Sequence, residues 1–309
     1  MRLFTFGCSF TNYKWPTWAD IIIKEKGSGE NWGLSGASNE YIFHAFNECC
    51  IENNINANDI VIIMWSTLDR VGYYKNNKWI CGGSVYNNDM FSEEYVKNFT
   101  DDRGFMIKNY SYIFAIDQIL QKIGCQYYFL SMMDINYTSA TYNKKTNLDI
   151  IKKYNLLLKK IRPSVFEIIF NKDWESRPNI KKDLTNPRSK KFIEQLTNQI
   201  KDEYNYIKGV DWPNFEDFYN NKNLKNIKKS ILEEIEFYNK RIGWKKLKHE
   251  YFRFDQHPTP AEHLEYLDKA LPEIEISKNT RNWVNEIDEK VIFGEDISQL
   301  WVNTQVKRW

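Results

Sequence analysis

The sequence predicts an α/β fold, a parallel sheet with helices packed on both of its faces. Three observations carry that expectation. Short apolar runs of strand length occur at 3–6, 60–65 and 126–132, and none shows the strict alternation of a half-exposed strand. Segments with apolar residues at helical spacing separate them. The junctions carry Gly, Pro, Asn and Ser, the residues that end one element and start another.

Taken in order, LFTF at 3–6 reads as a first strand ended by Gly7. Pro16 suits the first turn of a helix, and Trp18, Ile21 and Ile22 follow at helical spacing. The stretch 31–36 is punctuated by glycine, and Ser38 is a plausible N-cap for a helix carrying Ile42, Phe46, Cys49 and Cys50. IVIIMW at 60–65 is apolar throughout, the pattern of a strand buried on both faces, and it ends at Ser66. Residues 71–101 read as loop-rich, 112–123 as a helix capped by Gly124, and 126–132 as another buried strand. Strands that alternate with helices pair in parallel, because the helix is the crossover.

From 143 to 248 the character changes to Lys- and Asn-rich helical segments at 148–160, 190–204 and 223–238, with 207–212 as a further candidate strand. That is more helix than a crossover needs, so an insertion is expected. Residues 252–255 then lead into HPTPAEHLEYLDKALPEI, where Pro260 opens a short helix. The tail, with Trp283, Trp301 and Trp309, is expected to strap onto the domain. The predicted organisation is a domain built from 1–136 and 250–275, an insertion at 137–249, and a strap at 276–309.

Composition narrows the function classes. The chain has 309 residues, 42% hydrophobic and 27% charged, and a mean hydropathy of −0.62, which together describe a soluble globular protein with a full core. The apolar runs are too short to cross a membrane, and Arg2 is followed by only four residues before Gly7, which leaves no room for a signal peptide. Five cysteines, an odd number, speak against a disulfide framework and for a reducing, cytoplasmic setting. Cys49 and Cys50 have no second pair at metal-site spacing, so no metal is expected. Charge is unevenly placed: residues 138–249 hold 25 Lys/Arg against 14 Asp/Glu, and the remainder holds 18 against 27. The basic segment has no nucleic-acid motif and carries many acids among its lysines, which argues against a nucleic-acid partner. It is expected to dock on the acidic domain through Phe166, Ile168, Ile169, Phe170 and Phe215; an anionic ligand is the other outlet for its charge.

The chemistry narrows to a few side chains. Of His44, His249, His257 and His263, only His257 lies in a loop beside an acid, in FDQHP at 254–258. Ser9 and His257 are the candidate nucleophile and base, and Asp255 could hold the imidazole tautomer. The ends of parallel strands gather at one rim, where a serine after the first strand can meet a histidine from a late loop. The same residues also fit a plain turn at Ser9 and a helix start at His257-Pro258. Cys8 is a second nucleophile by type, and His263 reads as an ordinary helix residue. Tyr73, Tyr74 and Trp79 form a loop set able to stack on sugar rings.

FGCSFT at 6–11 resembles the first block of the SGNH (GDSL) hydrolase superfamily, a Gly-x-Ser after the first strand. Trp15-Pro16 is similar to the start of the first helix in many members. NWGLSGASN at 31–39 resembles the second block, an Asn and then a Gly whose backbone N–H serves the oxyanion hole. Asp255-Gln-His257-Pro258 resembles the last block, which supplies acid and base. The blocks come in the family's order and cover roughly 1–136 and 250–272. The resemblance implies a three-layer α/β/α sandwich with a parallel, flavodoxin-like sheet and no organic cofactor or metal. It also implies ester hydrolysis, with Ser9 rather than Cys8 attacking, His257 taking the proton and Asp255 orienting His257. The N–H groups of Ser9 and Gly36 would hold the oxyanion.

Two departures from the family pattern matter. The third block is usually Gly-x-Asn-Asp, and its Asn donates to the oxyanion; this chain has MWSTLDR at 64–70. The Ser66 hydroxyl is the expected substitute, with Asn39 second, and a lost donor typically costs about 10²–10³ in rate. One residue, rather than two, separates Asp255 from His257. Arg70 and Trp65 are candidate substrate contacts, Arg70 for a substrate anion unless it pairs with a surface acid. The expected function is hydrolysis of acyl, chiefly acetyl, esters on small molecules or glycans. A carbohydrate O-acyltransferase using the same site, or a non-catalytic binding protein on the same fold, would share these residues.

Overall fold

A computed structural model describes residues 1–87, 90–135, 144–169, 257–293 and 296–306. The chain divides into two units. The first comprises Met1–Ile169, Pro260–Ile287 and Ser298–Trp309, and the second Phe170–Thr259 and Asp288–Ile297. The expected helices at 190–204 and 223–238, the strand at 207–212, and Phe170, Phe215 and Trp309 lie outside the described residues.

The strands, in chain order, are β1 (Leu3–Phe6), β2 (Glu30–Asn31), β3 (Ile60–Trp65), β4 (Arg70–Lys75), β5 (Lys78–Ser84) and β6 (Gln126–Ser131). Four of them form a parallel sheet in the order β2-β1-β3-β6, with Phe6 opposite Ile63 and Trp65 opposite Ser131. Every residue of β3 is buried, as its unbroken apolar run requires of a strand covered on both faces. β1 stands between β2 and β3, so the connections leave it in opposite directions. The carboxyl ends of β1 and β3 therefore flank the switch point where open α/β sheets form their crevice. Both sheet edges are covered within the first unit. Gln305 bridges Asn31 beyond β2, with Val306 N–H donating to Asn31 C=O at 2.8 Å. Ile161 bridges Phe129 beyond β6, with Arg162 N–H donating to Phe129 C=O at 2.9 Å.

The helices are α1 (Trp18–Lys26), α2 (Asn39–Asn53), α3 (Glu93–Phe99), α4 (Asp102–Ile123), α5 (Lys144–Lys153), α6 (Asn155–Leu158), α7 (Val165–Ile168), α8 (Pro260–Ala270) and α9 (Lys278–Phe293). Ser38 caps α2 as expected, its Oγ accepting Tyr41 N–H at 3.3 Å. Pro260 opens α8 as its position implied. At α1 the cap is Thr17, so Pro16 precedes the helix instead of opening it. α4 begins ten residues before the expected 112, because Asp101 accepts Gly104 N–H at 2.6 Å and founds an extra stretch of helix. The single helix expected at 148–160 is two, α5 and α6. α1 packs with α8 and α2 with α4, around a core in which Phe4, Phe6, Trp18, Trp32, Phe46, Trp65, Tyr110 and Phe129 are buried. The result is an α/β sandwich. Among the described residues no helix is long and apolar enough to cross a membrane.

Within 71–101, expected to be loop-rich, the described residues include most of a β-hairpin and α3. β4 and β5 form an antiparallel hairpin whose two-residue turn, Asn76-Asn77, has φ of 52° and 59°. Both residues thus take the left-handed conformation of a type I′ turn, which Asn tolerates better than most. Trp79 anchors the hairpin on α2, with Tyr41 at 5.6 Å and His44 at 5.4 Å between ring centres. Ser84 Oγ donates to Asp69 Oδ2 at 2.6 Å and ties off its base.

Candidate active site

The chain leaves β1 through Gly7, and only glycine fits there. A Cβ at this position would meet Thr11 Oγ1 at 2.0 Å and the Met64 carbonyl of β3 at 3.0 Å. The turn that follows is fixed from several sides. Thr11 and Asn12 N–H both donate to Cys8 C=O, at 2.9 and 3.1 Å, so the chain folds back around Ser9. Thr11 C=O accepts Thr17 Oγ1 at 2.6 Å and Asn31 Nδ2 at 2.8 Å, and Leu34 N–H donates to Gly7 C=O at 3.0 Å. Residues 31–34 thus brace the turn, and Ser9 sits buried on it with little freedom.

Ser66 directly follows β3, the strand beside β1. Phe6 and Ile63 are the last register partners of the two strands; beyond them the chain turns at Ser9, while β3 runs on to Trp65. The Asn39 carboxamide, at the start of α2, grips the Ser66 main chain twice. Its Oδ1 accepts Ser66 N–H at 2.7 Å, and its Nδ2 donates to Ser66 C=O at 3.1 Å. Both residues are buried, yet Ser66 Oγ has no hydrogen-bond partner among the described residues. A buried hydroxyl without a partner costs about 1–3 kcal/mol, so it stands out as a donor held in reserve. Asn39, expected as an alternative donor, has both ends of its carboxamide engaged on the Ser66 main chain.

Gly36 adopts φ 77°, and a side chain there would strike the Cys81 carbonyl at 2.6 Å. The β5 strand therefore packs directly on the turn at Gly36. Arg70 starts β4, at an irregularity between Arg70 and Gly72 of the kind that re-aims a side chain. Its Nη2 lies 3.7 Å from the Met132 sulfur, which is itself 3.5 Å from Cys8 Sγ. The guanidinium thus lies over the ends of β3 and β6, next to the Ser9 turn. Met132, the residue after β6, was not singled out from the sequence; nothing in its surroundings there marked it. Trp65 is buried in the core, edge-on to Phe129 at 5.7 Å.

His263, read as an ordinary helix residue, is fully buried on α8 with its ring edge-on to Phe10 at 6.4 Å, and Phe10 stacks on Phe166 at 6.1 Å. His257 belongs to the second unit and is half-buried ahead of the buried Pro258 and Thr259. Asp255 lies outside the described residues. Of the eight residues predicted for the site, Ser9, Gly36, Asn39, Trp65, Ser66 and Arg70 thus belong to the first unit. Among the described residues no group of three His, Cys, Asp or Glu comes together to hold a metal ion. Burial pushes the Cys81 thiol up to about 11, although the Ser38 N–H and the Arg70 charge pull the other way, so this neighbour of the rim is a neutral thiol.

No family model matches the chain, and no curated protein matches it. Among solved structures it is similar to a candidate acylhydrolase from Bacteroides fragilis, at 13% identity and a TM-score of 0.30, over 52% of this chain and 66% of that one. The chain thus spans just under two thirds of that protein's length. The sandwich is read from the sheet itself and its helices, independently of that likeness.

Proposed function

We propose that the chain is a serine esterase of SGNH type, acting through an acyl-enzyme on Ser9. One observation carries the reading: Ser9 and Ser66 follow the carboxyl ends of neighbouring strands that flank the switch point, the first on a braced turn and the second with a spare donor. Attack needs a nucleophile fixed in place, and the tetrahedral intermediate needs donors aimed beforehand. In this reading Ser9 Oγ attacks the ester carbonyl carbon, and its proton passes to His257, the base that the FDQHP block supplies. The oxyanion takes hydrogen bonds from Ser9 N–H, Gly36 N–H and Ser66 Oγ. Collapse expels the alcohol, which leaves with the proton from His257; water, deprotonated by His257, then releases the acid and restores Ser9. Asp255 orients His257, and Asn39 positions Ser66. Acetyl esters of carbohydrate are the proposed substrates, and the exposed Tyr73 and Tyr74 on the hairpin offer faces for a sugar ring.

A fluorophosphonate probe tests the mechanism. It should label one serine, and Ser9→Ala should abolish the labelling and lower ester turnover by about 10³-fold or more, with the circular-dichroism spectrum unchanged. Turnover that survives in Ser9→Ala overturns the mechanism. A correctly folded chain that takes no label and turns over no ester is instead the non-catalytic binding protein.

A further inference from the structure

Five arginines fall among the described residues, and four have an acidic partner: Arg2 with Asp59, Arg103 with Asp149, Arg162 with Glu273 and Arg281 with Asp268. Arg70 is the exception. Its Nη1 is buried with no hydrogen-bond partner among the described residues, and Nη2 rests against the Met132 sulfur, a weak acceptor. Asp69, next in the chain, receives the Ser84 hydroxyl at 2.6 Å. Cys81, which feels the Arg70 charge, stays a neutral thiol and supplies no counter-charge. A guanidinium taken partly out of water without an anion is costly, and that cost is recovered when an anion arrives. The irregularity at the start of β4 and the contact with Met132 hold this charge at the carboxyl rim, beside the turn that carries Ser9.

We propose that Arg70 is the recognition residue for a carboxylate on the substrate, so that the preferred ester is anionic. The proposal rests on the esterase reading for what the site does to that substrate, though not for the binding itself. A planar fork of N–H donors pairs with a carboxylate through two parallel hydrogen bonds, and a charge-assisted contact of this kind raises affinity by roughly 10–100-fold. The carboxylate could sit on the alcohol side of the ester or on the acyl side; both present the same chemistry to Arg70.

Two pairs of synthetic esters separate these sources. 4-Acetoxybenzoate against its methyl ester places the charge on the alcohol side, and 4-nitrophenyl hemisuccinate against 4-nitrophenyl butyrate places it on the acyl side. The wild-type protein should favour the anionic member of at least one pair by roughly 10–100-fold in kcat/KM, mainly through KM. Arg70→Gln should erase that ratio, and Arg70→Lys, which keeps the charge but not the fork, should restore part of it. A wild type without preference in either pair, or a ratio that survives Arg70→Gln, overturns the proposal while leaving ester hydrolysis standing. Binding gives an answer that needs neither turnover nor a variant. By calorimetry, 4-acetamidobenzoate or N-(4-nitrophenyl)succinamate should bind at least about 10-fold more tightly than its uncharged counterpart, the methyl ester of the first or N-(4-nitrophenyl)butyramide for the second. That preference in a protein that hydrolyses no ester would sink the esterase reading and keep Arg70 as an anion site; equal binding in both series overturns the anion site whatever the turnover.

Discussion

Two arginines sit at opposite ends of the same pair of strands, and they are used in opposite ways. Arg2 precedes β1 and spends its donors: Nε on Asp59 Oδ1 at 3.0 Å, Nη2 on Asp59 Oδ2 at 2.6 Å and Nη1 on the Asn53 carbonyl at 2.9 Å. Asp59, just before β3, is satisfied in turn by the Arg2 and Asn56 N–H groups at 3.2 and 3.0 Å. Arg70 follows β3 and has no such partner, and Ser66, at the end of β3, keeps a hydroxyl without a partner among the described residues. The amino ends of the strands are closed on themselves, while the carboxyl ends keep polar groups in reserve on a braced frame. In an open parallel sheet, that difference separates the end that holds the fold together from the end that meets a ligand.

Three substitutions probe this contrast. Gly7→Ala should have the largest effect, a loss of about 2–4 kcal/mol by chemical denaturation, because the new methyl meets side-chain and backbone atoms that cannot both withdraw. A midpoint within a few tenths of wild type would show that the Ser9 turn is not braced. Asp59→Asn should cost about 1–2 kcal/mol at neutral pH, allowing for the half-exposed Arg2 side chain. Burial pushes the Asp59 carboxyl up, but the Arg2 guanidinium and the Asn56 and Arg2 N–H groups outweigh it and hold the carboxyl below its ordinary value. The gap between wild type and Asp59→Asn should therefore be full above the ordinary carboxylate pKa of about 4 and shrink as pH falls through the lowered value. A gap that stays constant down to acid would mean that the ion pair contributes nothing. Ser66→Ala should cost no stability and, by removing a buried unpaired hydroxyl, should raise it by up to about 1 kcal/mol. It should nonetheless lower kcat by about 10–10³-fold with KM nearly unchanged. A stability loss with kcat intact would return Ser66 to the structural class.

β1 and β3 were legible because burial on both faces leaves no choice of residue, as LFTF and IVIIMW show, whereas β6, expected as a buried strand, is buried only in its second half. β2 was not legible, since two residues braced by Gln305 from far along the chain carry no local signal. The β4–β5 hairpin had a signal that went unread: Asn76-Asn77 stands between aromatic and apolar residues, and Asn is among the few residues at ease in a type I′ turn. Gly104 and a charged first turn hid the start of α4, where the Asp101 cap outweighs the glycine. At the rim, Ser9 was singled out by its place after the first strand and Ser66 by the position of MWSTLDR at 64–70 as the third block. The division of labour between Ser66 and Asn39 needed geometry, because a carboxamide looks the same in a sequence whether it faces a ligand or a neighbour's main chain.

The brace on β2 also bears on the order in which the molecule assembles. Gln305 Nε2 reaches the Gly33 carbonyl at 2.9 Å across 272 positions of chain, and closing so long a loop costs about 5 kcal/mol in entropy beyond the fixed term. The nearer pairing of β1 with β3 is cheaper and rewards the chain sooner. Until the brace arrives, β2 is a bare sheet edge, the usual template for pairing with a second chain. Its length of two residues keeps that template too short to be effective.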